Sequence, residues 1–435
     1  MVDGKGAAAP SAAERNAGPV QHRDRPTPPR GGGGGARSLL AEAQFRRLWT
    51  VGSVIFVVRW IEMIAVGVFV YRQTGSAFLV AMMTMLRILP MGLLGAVIGA
   101  VAERMERRTM LLLMVLSNLV ISVVMALLAH TGLLAVWQVA VACFLNGIGW
   151  AADNPVRRLM IGEAVGPDRM GTAMSLDAGA NNASRLFGPT LGGVLYAAVG
   201  IEGAFLLGAL LHLIALAAAL RLRPAERPPA AAGAAPAGGL GVLGRIGEGV
   251  AVVRQDRRLV GILSITVIFN VFGWPFTSMI PVIGQDRLGL DADGIGLLAS
   301  MDGAGALCGA VALTIWARPR HYRAYYVAGT VVYMAMLIAF ALAPNAWLAG
   351  AALLLTGLGQ AGFATMQATL VFLAAPPEMR PRVLGLLSVC IGTGLIGFVG
   401  LGLLAEAIGA PAAIVTTGLL GFAALAMTRR WWQAI

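Results

Sequence analysis

Arg59, Glu62, Arg87, Asp177, Asn181, Arg185, Asn270, Asp302, Gln360 and Gln367, each able to hold a charge or a strong hydrogen bond, lie inside long apolar stretches of this sequence. A carboxyl kept from water can take up and release a proton. A neighbouring guanidinium favours its charged form and burial favours its neutral one. Arg59 and Glu62 are three residues apart and share a helix face, about 16 and 21 Å into their stretch at 1.5 Å per residue. Arg87 stands ten residues into the next stretch, just ahead of Pro90, and Asp302 lies at the equivalent depth of a later one. Asp177, Asn181 and Arg185 recur every fourth residue as one polar stripe, and Gln360 and Gln367 share a face with Thr356. A charge at the centre of a bilayer costs at least ~2.5–3.5 kcal/mol, so such groups face a partner or a water-filled cavity. The chemistry this permits is proton binding coupled to ligand binding. Glu62 is the leading protonatable carboxylate, followed by Asp302 and Asp177. Arg59, Arg87, Asn181, Arg185, Asn270, Gln360 and Gln367 are candidates to line a substrate cavity. The competing structural reading makes Arg59–Glu62 and Arg185–Asp177 ion pairs that pack helices, and the amides interhelical glue at under ~2 kcal/mol each.

No other reactive set stands out. The sequence has no HExxH, no Walker lysine loop and no acid-pair diphosphate motif, and His22, His130, His212 and His321 are scattered without metal-ligand spacing. Cys143, Cys308 and Cys390 fall in apolar stretches with no paired spacing, and read as small buried residues. Neither an enzyme nor a metal or organic cofactor is expected; a proton gradient would supply the energy.

The elements that must position these residues follow from composition. Of 435 residues 58% are hydrophobic and 12% charged, against about 25% charged in a soluble domain. Windows of roughly 20 apolar residues match a hydrocarbon core of ~30 Å, so the fold expected is an all-α polytopic membrane protein. The net charge of +12 does not point to nucleic acid. Most Lys and Arg fall within 5–47, 104–108, 157–169, 221–258, 318–323, 380–382 and 429–430, which are alternate loops. That is the positive-inside bias, and it puts both termini in the cytoplasm with an even number of spans. Residues 1–42, rich in Ala, Pro, Gly and Arg, read as a disordered tail without the apolar region or cleavage site of a signal peptide. Six spans are expected within 43–221, at about 48–71, 77–102, 109–130, 134–154, 170–199 and 202–221. Residues 222–256 read as a linker ending in a short amphipathic helix from about 243. Six more spans, at about 258–284, 293–317, 323–343, 347–374, 381–408 and 411–428, make up 257–428, and 429–435 are a C-terminal tail with RRWW as an interfacial anchor.

The two sextets repeat each other. Gln44-x-Arg46-Arg47-Leu48 matches Gln255-x-Arg257-Arg258-Leu259, Trp60 matches Trp274, Gly75 matches Gly289, and Pro167-Asp168 matches Pro377-Glu378. Gly193 and Gly200 match Gly402 and Gly409. Between spans two and three, Gly99, Glu103, Arg104, Arg107 and Arg108 follow the pattern G-x-x-x-[DE]-[RK]-x-x-[RK]-[RK]. Gly95-Ala96-Val97 precedes Arg104 as Gly309-Ala310-Val311 precedes Arg318, although Ala317 stands where Glu103 stands. Two six-helix repeats in parallel arrangement, joined by a polar linker, are the architecture of the major facilitator fold.

With FRRLW, TGS, AERMERR, DNPVRRLM, VGPDRMGTAMSLDAGANNASRLFGPTLGG and APPEMRPRVLGL, the chain from about 45 to 425 resembles the major facilitator superfamily. It looks most like the bacterial exporters that include enterobactin exporters and related drug–proton antiporters. Its departure is Glu106, where a glycine is usual at the turn of the charged loop. The resemblance implies a cytoplasmic latch in which Glu103 and Arg107, with Gly99 and Arg104 shaping the loop, cluster with Asp153 and face the N-terminus of the eleventh helix. The alternative is a plain topology signal with exposed ion pairs worth under about 1 kcal/mol. Gly188-Pro189-x-x-Gly192-Gly193 resembles the antiporter motif, and is in any case a seam for close packing and bending. The function implied is proton-coupled export of a small amphipathic molecule, drug or siderophore-like, by a monomer in the bacterial inner membrane. Import, lysolipid flipping and non-transporting sensing on the same scaffold stay open.

Overall fold

A computed structural model describes residues 35–223, 250–251 and 253–435, without the side chains of 95–104, 154, 377 and 381. Each apolar stretch forms helix, since backbone in hydrocarbon must satisfy its own hydrogen bonds. The first half contains α1 (Ala43–Thr74), α2 (Ala77–Arg104), α3 (Arg107–His130), α4 (Val136–Val165), α5 (Met170–Val199) and α6 (Ile201–Leu220). The second contains α7 (Arg257–Asp286), α8 (Ala292–Trp316), α9 (Tyr322–Leu342), α10 (Ala346–Ala374), α11 (Arg380–Gly392 continued by Gly394–Ile408) and α12 (Ala410–Met427). Among the described residues there is no strand, and ten of these helices are long and apolar enough to cross a membrane. The other two, α4 and α5, have 30 residues each. They carry Asp153, Arg157, Asp177 and Arg185, which lowers their hydropathy without shortening them.

The repeat landmarks are turns. Gly75 and Gly289 follow the first helix of each half at φ 65° and 61°, and Gly200 and Gly409 separate the fifth from the sixth at 76° and 84°. Only glycine adopts that left-handed backbone without steric cost. Each half also lays the tryptophan of its first helix on a glycine of its fifth, Trp60 on Gly188 and Trp274 on Gly394.

Two expected elements differ. A helix over Ala36–Ala41, with Leu39 fully buried, stands where tail was expected; its apolar residues pack under α1 and outweigh the flexible composition upstream. The fourth span continues to Val165 instead of stopping near 154, with Arg157 paired inside the bundle and Arg158 and Glu163 on its exposed side. The second half is also less regular. In α7 a π turn over Phe269–Gly273 runs into a tight 3₁₀ segment over Trp274–Met279, where Pro275 has no N–H to continue the helical ladder. The linker and its amphipathic helix fall largely outside the described residues; within them 250–251 and 253–255 are helical.

The halves meet along α5–α8 and α2–α11. At Gly193 on α5 and Gly296 on α8, added Cβ atoms would overlap the facing backbones of Ala292 and Pro189. The two helices touch there main chain to main chain, as glycine seams in membranes allow.

Candidate functional site

Among the described residues three buried charge clusters lie along the core, two within the first half and one between the halves. The first centres on Glu62 of α1, which is 2% exposed. Its Oε2 accepts from Arg87 Nη2 of α2 at 2.7 Å and from Asn146 Nδ2 of α4 at 3.1 Å. Its Oε1 accepts from Ser122 Oγ of α3 at 3.3 Å, and that hydroxyl is 3.3 Å from Nδ1 of the buried His212 on α6. Gly147 makes this possible, for a Cβ there would collide with the Arg87 carbonyl and hold α4 off α2. A cavity of about 30 Å³ adjoins the cluster, lined by Arg59, Glu62, Arg87, Asn118, Asn146 and His212. It has room and polar partners for a water.

The second cluster is Arg157 of α4, fully buried. Its Nε donates to both oxygens of Asp153 at 3.1 Å, one turn earlier, and its Nη1 pairs with Asp177 of α5. The Phe56 ring lies 4.9 Å from the guanidinium, and Gly52 leaves the room it occupies. Losing one partner of such a buried pair typically costs 3–5 kcal/mol.

The third joins the halves. Arg185 of α5 pairs through Nη2 with Oδ2 of Asp302 on α8 and with Oε1 of Gln360 on α10. Asp302 is 4% exposed, and its Oδ1 has no partner among the described residues. Closer to one end of the bundle, Thr190 donates to Ser300 Oγ at 2.7 Å, Tyr71 pairs with Asp286, and Ser76 donates to Glu406 at 2.9 Å.

Those links lie at mid-depth and toward the face where α1 and α7 end. The opposite face, where α1 begins and α12 ends, is open. Gly171 and Gly179 fall within about 40° of Gly193 around α5 at 3.6 residues per turn, yet a Cβ on either meets nothing. The same is true of Gly385 and Gly392 on α11, and Val311 and Thr314 on α8 are exposed. The seam that is closed at Gly193 is a cleft about four to six turns away. At this face Arg107 pairs with Glu163 and Arg169 with Glu42, both within the first half.

Arg59 differs from the other arginines of the core. Its Nη2 donates to Asn181 Oδ1 at 2.8 Å, and Phe56, Trp60 and Trp150 surround it at 5.6, 5.4 and 5.1 Å from ring centroids. Among the described residues no carboxylate lies within ion-pairing distance of it.

The residues picked from sequence therefore meet, with different partners. Glu62 pairs with Arg87 rather than with its helical neighbour Arg59, and Asp177 with Arg157 rather than Arg185, because partners from adjacent helices reach the carboxylates more directly. The stripe Asp177, Asn181, Arg185 sends each member to a different cluster. Asp153 is taken by Arg157 and Arg107 by Glu163, so these two do not meet on the open face; the side chains of Gly99, Glu103 and Arg104 lie outside the described residues. Gln360 reaches across the halves. Gln367 and Asn270 instead converge on Thr266, at 3.1 and 2.8 Å, as glue within the second half. Gly188, Pro189, Gly192 and Gly193 are buried, with Gly188 against Trp60 and Gly192 against Ile61. Cys308 is exposed rather than buried, at the cleft end of α8. Sequence reasoning missed Arg157, read as a loop residue, and His212, set aside as scattered. An ionisable residue in mid-span was the available signal for His212.

Comparison with known proteins places this geometry. A family model described as "Transmembrane secretion effector" matches residues 35–432. Macrolide efflux protein A of Streptococcus pyogenes is 22% identical over 246 residues, 56% of this chain and 59% of that protein, so the match spans under two thirds of that relative. The uncharacterized MFS-type transporter YfiS of Bacillus subtilis is 26% identical over 377 residues, 80% of this chain and 84% of that one. Among solved structures, a bacterial homologue of the human lysosomal transporter Spinster, inward-facing and unoccupied, superposes with a TM-score of 0.70 at 15% identity, over 90% of this chain and 96% of that one.

Proposed function

Because this chain belongs to the transmembrane secretion effectors of the major facilitator superfamily, a family of efflux-type transporters, we propose that it exports a small amphipathic molecule across the bacterial inner membrane in exchange for protons. Both termini lie in the cytoplasm, and the open cleft faces the cytoplasm. The reading rests on one observation: Asp302 holds the second half to Arg185 of the first at mid-depth. Ionised, Asp302 keeps the outer side of the seam shut and the cleft open inward. Protonated, it loses its attraction for Arg185, and the halves are free to rock about the seam. Glu62, the leading carboxylate on sequence grounds, is a weaker candidate for this step, because its partners all belong to one half and its protonation leaves the half-to-half contacts as they are.

The efflux name of the Streptococcus pyogenes relative supports outward transport. The test is proton flux in proteoliposomes carrying an internal pH dye, challenged with drugs, siderophores and lysolipids. At least one compound is expected to draw protons through the native protein. Asp302→Asn is expected to abolish that flux while still exchanging labelled for unlabelled cargo. Proton flux of native size through Asp302→Asn would remove Asp302 from the coupling step.

A further inference from the structure

The surroundings of Trp60 carry a specificity. Two guanidiniums flank its indole, Arg59 at 5.4 Å and Arg185 at 5.6 Å from the ring centroid. Arg185 has the Asp302 carboxylate; Arg59 has an amide oxygen and three aromatic rings. Trp60 Nε1 and Arg185 Nε are buried donors without an acceptor among the described residues. The nearby carboxylates are engaged elsewhere, Asp302 by Arg185, Glu62 by Arg87 and Asp153 by Arg157, so cations and unused donors outnumber free acceptors here. Cation–π contacts of this kind are worth about 0.5–2 kcal/mol each, and they offset only part of the cost of a half-buried cation. A carboxylate would complete the set, since hydrogen bonds to charged partners are roughly twice as strong as neutral ones. Phe56, Trp60 and Trp150 give the same place an apolar wall.

We propose that Arg59, Trp60 and Asn181, with the free edge of Arg185, form a subsite for the carboxylate of an anionic amphipathic cargo whose apolar body lies against Phe56 and Trp150. This deepens the export reading and rests on it for the word cargo. It also supplies the coupling: a carboxylate arriving beside Arg185 competes with Asp302 for that guanidinium, so cargo loosens the contact that holds the outer seam shut.

The experiment is equilibrium binding to the purified full chain in nanodiscs, with no gradient. The probes are dansylaminoundecanoic acid, its primary amide, and the primary amine of the same chain length. The native protein is expected to bind the acid ~10-fold or more tightly than the amide, a charge-assisted increment, and the amine least. Arg59→Gln is expected to bring acid and amide within about twofold of each other, as one charged partner is lost. Because among the described residues no carboxylate lies within ion-pairing distance of Arg59 and Asp153 keeps Arg157, this variant is expected to keep its unfolding temperature. Trp60→Phe, which keeps the ring and removes the N–H, is expected to weaken the acid by about threefold, the share of one hydrogen bond. Equal binding of acid and amide, preference for the amine, binding of none of the three, or discrimination that survives Arg59→Gln would overturn the proposal. The two readings fail separately. Discrimination with native proton flux through Asp302→Asn sinks the coupling step alone, and proton flux that depends on Asp302 without discrimination sinks the subsite alone.

Discussion

The two ends of the bundle hold themselves together differently. Where α1 and α7 end, polar contacts run between the halves: Tyr71 with Asp286, Ser76 with Glu406, Thr190 with Ser300, and deeper in, Arg185 with Asp302. Where α1 begins, the strong pairs described above are internal to the first half: Arg157 with Asp153 and Asp177, Arg107 with Glu163, Arg169 with Glu42. Glycines follow the same division. Gly193 and Gly296 press backbone on backbone, while Gly171, Gly179, Gly385 and Gly392 face open space. One end is built as a joint; at the other, the first half pairs these charges within itself, as a self-sufficient rim. A protein that alternates its openings needs such rims, because charges left waiting for a partner across a cleft would be costly whenever the cleft opens.

The largest test of this contrast is Arg157→Ala. If the rim is self-sufficient, its loss harms the first half and leaves the joint alone. Two buried carboxylates would lose their counter-charge, which for one buried pair costs about 3–5 kcal/mol. Thermal unfolding of the purified protein is expected to shift down strongly, and Asp153→Asn with Asp177→Asn in the same chain is expected to recover much of the shift. An Arg157→Ala variant that unfolds like the native protein would show that the cluster does not stabilise the half.

A second, purely functional effect is expected from Gly179→Leu or Gly385→Leu. Nothing lies within reach of a Cβ at either position, so the open state accepts the side chain and stability should change by less than about 0.5 kcal/mol. Closure of the cleft would bring these faces together, as Gly193 and Gly296 already are at the joint. Transport in proteoliposomes is expected to fall ~10-fold or more, a closing penalty of about 1.4 kcal/mol, while binding from the open side stays native. Native transport by both variants would mean that these faces do not meet when the cleft shuts.

The joint and the rim were unequally legible in the sequence. Twelve spans and a twofold repeat could be read because hydrocarbon demands continuous helix, and because Gly75, Gly200, Gly289 and Gly409 mark turns that only glycine makes cheaply. The positions of the core charges were legible for the same reason: a charge in an apolar run stands out. Their pairing was not. Spacing along one helix brings Arg59 beside Glu62, but the partner is chosen by which neighbouring helix comes close. That depends on single glycines such as Gly147, which admits Arg87, and Gly52, which admits Arg157. Arg157 was hidden because it sits beside Arg158 after a proline, where a helix was expected already to have ended. The contact of Arg185 with Asp302 joins residues 117 apart in the chain, from two repeats whose docking no local pattern encodes.

The smallest expected effect lies at the outer edge of the joint. Arg72 and Asp291 approach at 3.5 Å between the halves, with side chains 40% and 89% exposed. Exposed pairs of this kind contribute under about 1 kcal/mol, and salt screens them further. If the joint is held mainly by the Gly193–Gly296 contact and by Arg185–Asp302, then Arg72→Ala should leave unfolding unchanged and move the open–closed balance only slightly. A cysteine placed at Ser76, labelled from the side where α1 ends, reads that balance directly. Labelling is expected to rise by less than about fivefold in Arg72→Ala, which corresponds to under 1 kcal/mol, and the rise should vanish at high salt. A larger, salt-independent rise would mean that the joint is held at its rim rather than at its core, and the contrast between the two ends would have to be redrawn around Arg72.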